Sequence, residues 1–190
     1  VMASNGETIA DEDGDFHDWI EFYNSGPEPV NLKGYYLSDC EDDPLMWRFP
    51  DVTIGSREYL MVWASGKDTV AITGEVHTNF NISREGEFLI LTSSDKASVV
   101  DMLDPVFIPR DFSYGRFPDG GDSWKYFDSN NASPGRTNNR ASASSGIINS
   151  KINPSFSRKG GFYTGDFVLQ ITSGSNTEIY YTLDGSEPTR

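Results

Sequence analysis

The sequence predicts an all-β sandwich of about eight or nine short strands, followed by part of a second small β domain. Three observations carry that prediction. Short runs rich in β-branched and aromatic residues recur along the 190 residues. Clusters of Gly, Pro, Asn, Asp and Ser separate them. Helical periodicity is almost absent.

The first strand reads as Trp19-Ile20-Glu21-Phe22-Tyr23, stopped by Asn24-Ser25-Gly26-Pro27. Its alternation sets Ile20 and Phe22 on one face and Trp19, Glu21 and Tyr23 on the other. Val30 to Leu37 follows, with Leu32, Tyr35 and Leu37 inward and Gly34 at a bend or bulge. Trp47-Arg48-Phe49 is a short strand ended by Pro50. Tyr59 to Ala64 reads as a central strand, buried on both faces for part of its length. Phe88 to Thr92 and Ser98 to Leu103 form a hairpin through Ser93-Ser94-Asp95-Lys96. Ser113 to Arg116 and Trp124 to Phe127 complete the domain, and the two sheets are expected to close over their interior and leave no cavity able to carry chemistry.

After Ser133-Pro134-Gly135 the composition turns polar, and apart from Ile147 and Ile148 the stretch 136–150 is almost all Arg, Asn, Ser, Ala, Thr and Gly. Such a segment buries too little apolar area to offset the entropy of ordering it. The predicted organisation is a sandwich over 1–139, a polar linker over 140–152 and the start of a second β domain over 153–190. In the last part, strands are expected over Asp166 to Ile171 and Glu178 to Thr182, with a turn at Leu183-Asp184-Gly185-Ser186. The chain opens at Val1 and stops inside a motif at Arg190, and so reads as a piece of a longer protein.

Charge excludes one class of partner. With 29 acidic against 15 basic residues, the formal charge is −14, and the longest basic cluster is Arg158-Lys159. That balance repels phosphate backbones, so nucleic acid is not an expected partner. No stretch approaches the roughly 20 apolar residues of a membrane span. A single cysteine, Cys40, precludes an intrachain disulfide, and its neighbours Asp39, Glu41 and Asp42 disfavour a thiolate.

Several segments, taken in order, resemble the lamin tail domain, an immunoglobulin-like sandwich of nuclear lamins and many bacterial surface proteins. They are Asp18-Trp19-Ile20-Glu21-Phe22-Tyr23-Asn24, Val30 to Asp39, Trp47-Arg48-Phe49-Pro50, Val62-Trp63-Ala64-Ser65-Gly66, Gly86-Glu87-Phe88-Leu89, Ser113-Tyr114-Gly115-Arg116 and Ser133 to Asn138. The tail, through Pro154-Ser155-Phe156-Ser157, Gly160 to Tyr163 and Ile179 to Thr189, resembles the first half of a chitobiase C-terminal-like, fibronectin-III-like domain. This pairing is similar to the non-catalytic flank of spore-coat-protein-H-type surface proteins. The resemblance implies an extracellular or cell- or spore-surface location, with any catalytic domain outside this chain.

The acidic loop Asp11-Glu12-Asp13-Gly14-Asp15 is the sharpest candidate for chemistry. Hard cations take several oxygen ligands from a loop with a Gly at its turn. An EF-hand is excluded, because Phe22 stands where its closing Glu would be and no helix flanks the loop. If the second acidic run folds beside the first, Asp11, Asp13, Asp15, Asp39 and Asp42 make a calcium site; otherwise the two runs are solvated turns. From Asp11 to Asp43, eleven acids face a single basic residue, Lys33. No cofactor is required by the sequence, and Ca²⁺ is the one it allows.

His17 beside Asp18 is a poor dyad, because adjacent residues on a strand point to opposite faces. His77 falls in an expected loop, and each histidine reads as a surface or capping residue. Trp19, Tyr23 and Tyr36 are the candidates for an exposed aromatic patch that contacts a ligand. The reading is therefore a non-catalytic module that contacts or spaces other protein domains or surface components. The alternative is a carbohydrate-binding module that stacks sugars on those rings. Catalysis ranks last.

Overall fold

The computed structural model describes residues 1–138, 155–158, 164–172 and 179–183. The expected linker over 140–152, Glu178 and the turn residues 184–186 lie outside them. The chain divides into two compact units, Val1–Ile148 and Asn149–Arg190. Among the described residues every regular element is a strand. No described helix is long and apolar enough to cross a membrane.

The first unit is an immunoglobulin-like sandwich. Its first sheet has the order β1 (Asp18–Tyr23), β6 (Tyr59–Ala64), β8 (Val76–His77), β7 (Thr69–Val70). The second has the order β10 (Val99–Leu103), β9 (Leu89–Thr92), β3 (Tyr36–Ser38), β4 (Trp47–Arg48). Two small pairings flank them: β2 (Val30–Asn31) with β5 (Thr53–Ile54), and the hairpin of β11 (Ser113–Arg116) and β12 (Trp124–Phe127).

The expected run from Val30 to Leu37 breaks into β2 and β3. Gly34 turns the chain between them at a φ of +83°, a conformation that a side chain resists. Leu32 and Leu37 are buried as the alternation requires. The hairpin of β9 and β10 forms as expected, with an irregularity between Val99 and Asp101.

β6 is central, pairing antiparallel with β1 and parallel with β8. It is also buried on both faces. On the inner face Ile20, Leu32, Leu37, Phe49, Val62, Leu89 and Leu91 join one core. On the outer face Met2, Trp19 and Trp63 form a second, smaller cluster with Ile9 and Met61 against it. Period-2 alternation assigns one face of β1 to solvent, but the N-terminal segment folds over that face and covers it.

Three strands carry no sequence signal: β5, β7 and β8 have two residues each, too few for alternation to show. In the second unit, β13 (Ser155–Phe156) pairs with β14 (Ile171–Thr172). The expected strand over Asp166 to Ile171 is regular only from Ile171, and Ile179 to Thr182 are described without strand pairing.

Candidate functional site

Two regions flank β1, one at each end. The first is a polar cluster built on the acidic loop that precedes the strand. The Asp11 side chain nucleates that loop: its Oδ1 accepts the N–H groups of Asp13 at 3.0 Å and Asp15 at 2.9 Å. The Gly14 N–H closes the turn on the Asp11 carbonyl at 3.0 Å, with Gly14 at a φ of +87°. Asp11 Oδ2 receives the Lys67 ammonium at 2.7 Å, and the same ammonium lies 2.9 Å from Asp13 and 4.0 Å from Asp15. Burial alone pushes the Asp11 carboxyl up, but Lys67 and the two loop amides together outweigh it and hold the group below the usual carboxylate range. The carboxylates raise the Lys67 ammonium in return.

Glu12 turns inward instead. Its carboxylate oxygens both lie 3.1 Å from His77 Nε2, and His77 Nδ1 lies 2.9 Å from Ser65 Oγ. His77 is completely buried, stacked on the equally buried Trp63. Glu75 lies beside Glu12, and burial followed by that neighbouring carboxylate raises its pKa. The His17 ring meets the His77 ring edge to face at 6.5 Å. His17 Nε2 stands 3.6 Å from Asp11 and 3.9 Å from Asp15, too far for a hydrogen bond, and has no other partner.

The reading of His77 as a surface or loop residue is thereby corrected: it sits on β8, inside the protein, against a carboxylate and a hydroxyl. Of the five residues predicted to hold calcium, the structure brings Asp11, Asp13 and Asp15 together. Asp39, half-buried, and Asp42, exposed, join neither of the two described groups of ligand atoms, Asp11/Glu12/His77 and Asp11/Asp15/His17. Lys67 supplies the counter-charge that the acidic loop requires.

Ser65, Lys67 and Glu75 escaped the sequence reading. The signal for Ser65 and Lys67 is topological. The antiparallel register sets Asp18 opposite Ala64, so the residues that precede β1 meet those that follow β6. A basic residue just past the central strand is the natural counterion for an acidic loop just before its neighbour.

The second region is a groove at the other end of β1. A cavity of about 690 Å³ lies between β1, β10 and the β11–β12 hairpin. That volume falls in the range of ligand pockets, so the sheets do not close completely over their interior along this edge. The physical reason lies in the strand order: β1 and β10 are both edge strands, and among the described residues no strand lies between them. The floor is apolar, with Ile20, Phe22, Leu89 and Leu91, and the rim carries Glu21, Asp101, Arg116 and Asp119.

Burial raises the Glu21 carboxyl above its usual range. Tyr59 donates to Asp119 at 2.7 Å, and burial together with that carboxylate pushes the phenol up to about 12. Arg116 pairs with Asp101 at 2.7 Å and stacks on Trp124.

The three predicted ligand-contact aromatics separate. Trp19 is only 3% exposed, under Met2 and against Trp63, so it cannot present a ring to a ligand; its assignment to an exposed patch is corrected. Tyr23 stacks on Tyr59 at the groove. Tyr36 lies on the other sheet, beneath the Lys96 ammonium.

Comparison with known families agrees with this architecture. The Fn3 associated family matches residues 169–190, in the second unit. No curated protein and no solved structure matches the chain. The Lamin Tail Domain family matches residues 4–106, more than half of the sequence and every strand of the two four-stranded sheets, and the chain belongs to that family.

Proposed function

We propose that this chain is a non-catalytic interaction and spacing module of a larger extracellular or cell- or spore-surface protein. The observation that supports it is how the titratable cluster is used. Ser65, His77 and Glu12 are linked as a nucleophile, base and orienting acid would be, which is the arrangement that invites an enzymatic reading. Yet His77 is wholly buried, Ser65 Oγ also takes the Lys67 amide at 3.3 Å, and none of the three lines the large cavity. A substrate carbonyl needs a place within about 3 Å of the nucleophile and of an oxyanion donor, and the Ser65–His77–Glu12 chain lies away from the groove. The cluster therefore ties the N-terminal loop to the first sheet.

The module reading places its working surface at the groove, where apolar floor and charged rim are open. Contact with other protein domains suits that surface best. Of the three rings predicted for carbohydrate stacking, only Tyr23 and Tyr36 stay accessible, and they lie on different sheets, so those residues form no single platform. Calcium is not needed for the fold in this reading, because Lys67 pairs with the buried carboxylate of the loop, Asp11.

A fluorophosphonate probe separates module from hydrolase. The expected result is no labelling of Ser65 in the folded protein; stoichiometric labelling that the His77→Gln variant abolishes would overturn the reading. Melting with and without millimolar Ca²⁺ addresses the metal, with no shift expected, since binding to the native state must raise stability.

A further inference from the structure

The ring nitrogen Nε2 of His17 is shielded from solvent and makes no hydrogen bond. A buried polar atom in that state is uncommon and calls for a partner. Two carboxylate oxygens face it, Asp11 Oδ2 at 3.6 Å and Asp15 Oδ2 at 3.9 Å. Those separations are too long for hydrogen bonds. They suit ligands that share one ion, because bonds of about 2.0–2.2 Å to a small divalent cation hold neighbouring donor atoms roughly 3–4 Å apart. The three donor atoms all lie within 4.8 Å of one another.

The loop holds these donors in place by itself. Asp11 Oδ1 accepts the amides of Asp13 and Asp15, which leaves Oδ2 to face His17. The Asp11 amide donates in turn to the Asp15 carbonyl at 2.9 Å, so the two acidic ligands are tied together through the backbone. The Asn5 side-chain amide donates to the carbonyls of His17 at 2.8 Å and Ile9 at 2.6 Å, fixing the chain where His17 leaves the loop. Metal centres rely on ligands whose remaining atoms are hydrogen-bonded in this way. The Asp11 side chain is fully buried, His17 is 28% exposed and Asp15 64% exposed, so the cluster has a closed floor and a mouth through which an ion can enter.

We propose that Asp11, Asp15 and His17 bind a divalent first-row transition ion, with zinc as its representative, and that the ion fastens the acidic loop to the start of β1. Charge favours it. Asp11, Asp13 and Asp15 meet one ammonium, that of Lys67, which leaves two negative charges in excess, the complement of one such ion. The imidazole sets the class. Calcium takes about six to eight oxygen ligands, whereas imidazole combined with carboxylate suits zinc and its neighbours. Three protein ligands leave a further position for water. The Lys67 ammonium, 2.7 Å from Asp11 Oδ2, opposes the ion and keeps the affinity below that of a closed four-ligand centre. His77 stays with Glu12 and Ser65 and takes no part. The site goes beyond the interaction-module reading and does not depend on it.

The test uses the full chain, whose two histidines report separately in long-range proton–nitrogen NMR of the imidazole rings. Near neutral pH, zinc is expected to shift His17 Nε2 and saturate at one ion per chain, with His77 unmoved. Calorimetry should give a dissociation constant in the micromolar range, and millimolar calcium should not displace the zinc. His17→Gln and Asp15→Asn, both at partly exposed side chains, should each weaken binding by about ten-fold or more. Lys67→Met, in which no ammonium opposes the ion, should bind several-fold more tightly.

Imidazole signals left unmoved by excess zinc would overturn the site. So would shifts confined to His77, which would place the ion at Glu12. Unchanged affinity in His17→Gln would reduce the binding to surface carboxylates, and equal or weaker binding by Lys67→Met would remove Asp11 as a ligand. Displacement by calcium would overturn the transition-ion class. Each of these failures leaves the non-catalytic reading standing.

Discussion

The two ends of β1 carry opposite solutions to the same difficulty, polar groups held close to a hydrophobic core. At the Asp18 end, charge is dense but closed: three carboxylates meet one ammonium, and a fourth carboxylate reaches a buried imidazole. At the Tyr23 end the charges are fewer and stand around the apolar floor of a cavity of about 690 Å³. The contrast teaches that a cluster of titratable groups is not by itself a reactive site.

Four substitutions break or sharpen this contrast, in descending order of effect. Trp63→Ala removes the ring on which His77 stacks, and the cavity it leaves should cost about 3–5 kcal/mol by chemical denaturation. His77→Ala empties a fully buried site and removes its bonds to Ser65 and Glu12, and should cost about 2–3 kcal/mol. A cost near that of an exposed site would mean that the closed end is looser than its geometry shows.

Lys67→Met should lower the melting temperature, since the Asp11 carboxylate would then lack its counter-charge. It should also change the pH profile. Asp11 is depressed in the folded state, so its contribution is present above the ordinary Asp range near pH 4 and is lost as pH falls through the lower, folded value. The native protein should therefore melt progressively lower in that acid range, whereas the Lys67→Met variant should lose much of that dependence. An unchanged acid profile would remove Lys67 as the cause of the shift. Finally, Met102→Lys lies at the open end on a side chain 46% exposed, and should alter stability by no more than about 0.5 kcal/mol. A large loss there would show that the groove is more tightly packed than its cavity implies.

The sandwich was legible because its long strands, β1, β6, β9 and β10, show their pattern over four to six residues. Trp19 misled for a different reason. Alternation reports which residues share a face, but not whether a distant segment covers it, and Met2 covers this one. His77 was missed because a two-residue parallel pairing has no periodicity of its own. The acidic loop was found, but its counterion was not, since Lys67 meets Asp11 only through the β1–β6 register. The groove left no trace in composition at all: it arises from which strands lie at the edges, a property of topology.

The seam between Val1 and Tyr114 also bears on the order in which the domain is completed during synthesis. A ribosome delivers β1, β6, β7 and β8 by His77, so the first sheet is able to assemble while the second still lacks β9 and β10. The partner that holds Val1 emerges only with β11, more than a hundred residues after it. Until then Val1 stays unpaired on that side, and the groove is the last part of the domain to acquire its second wall.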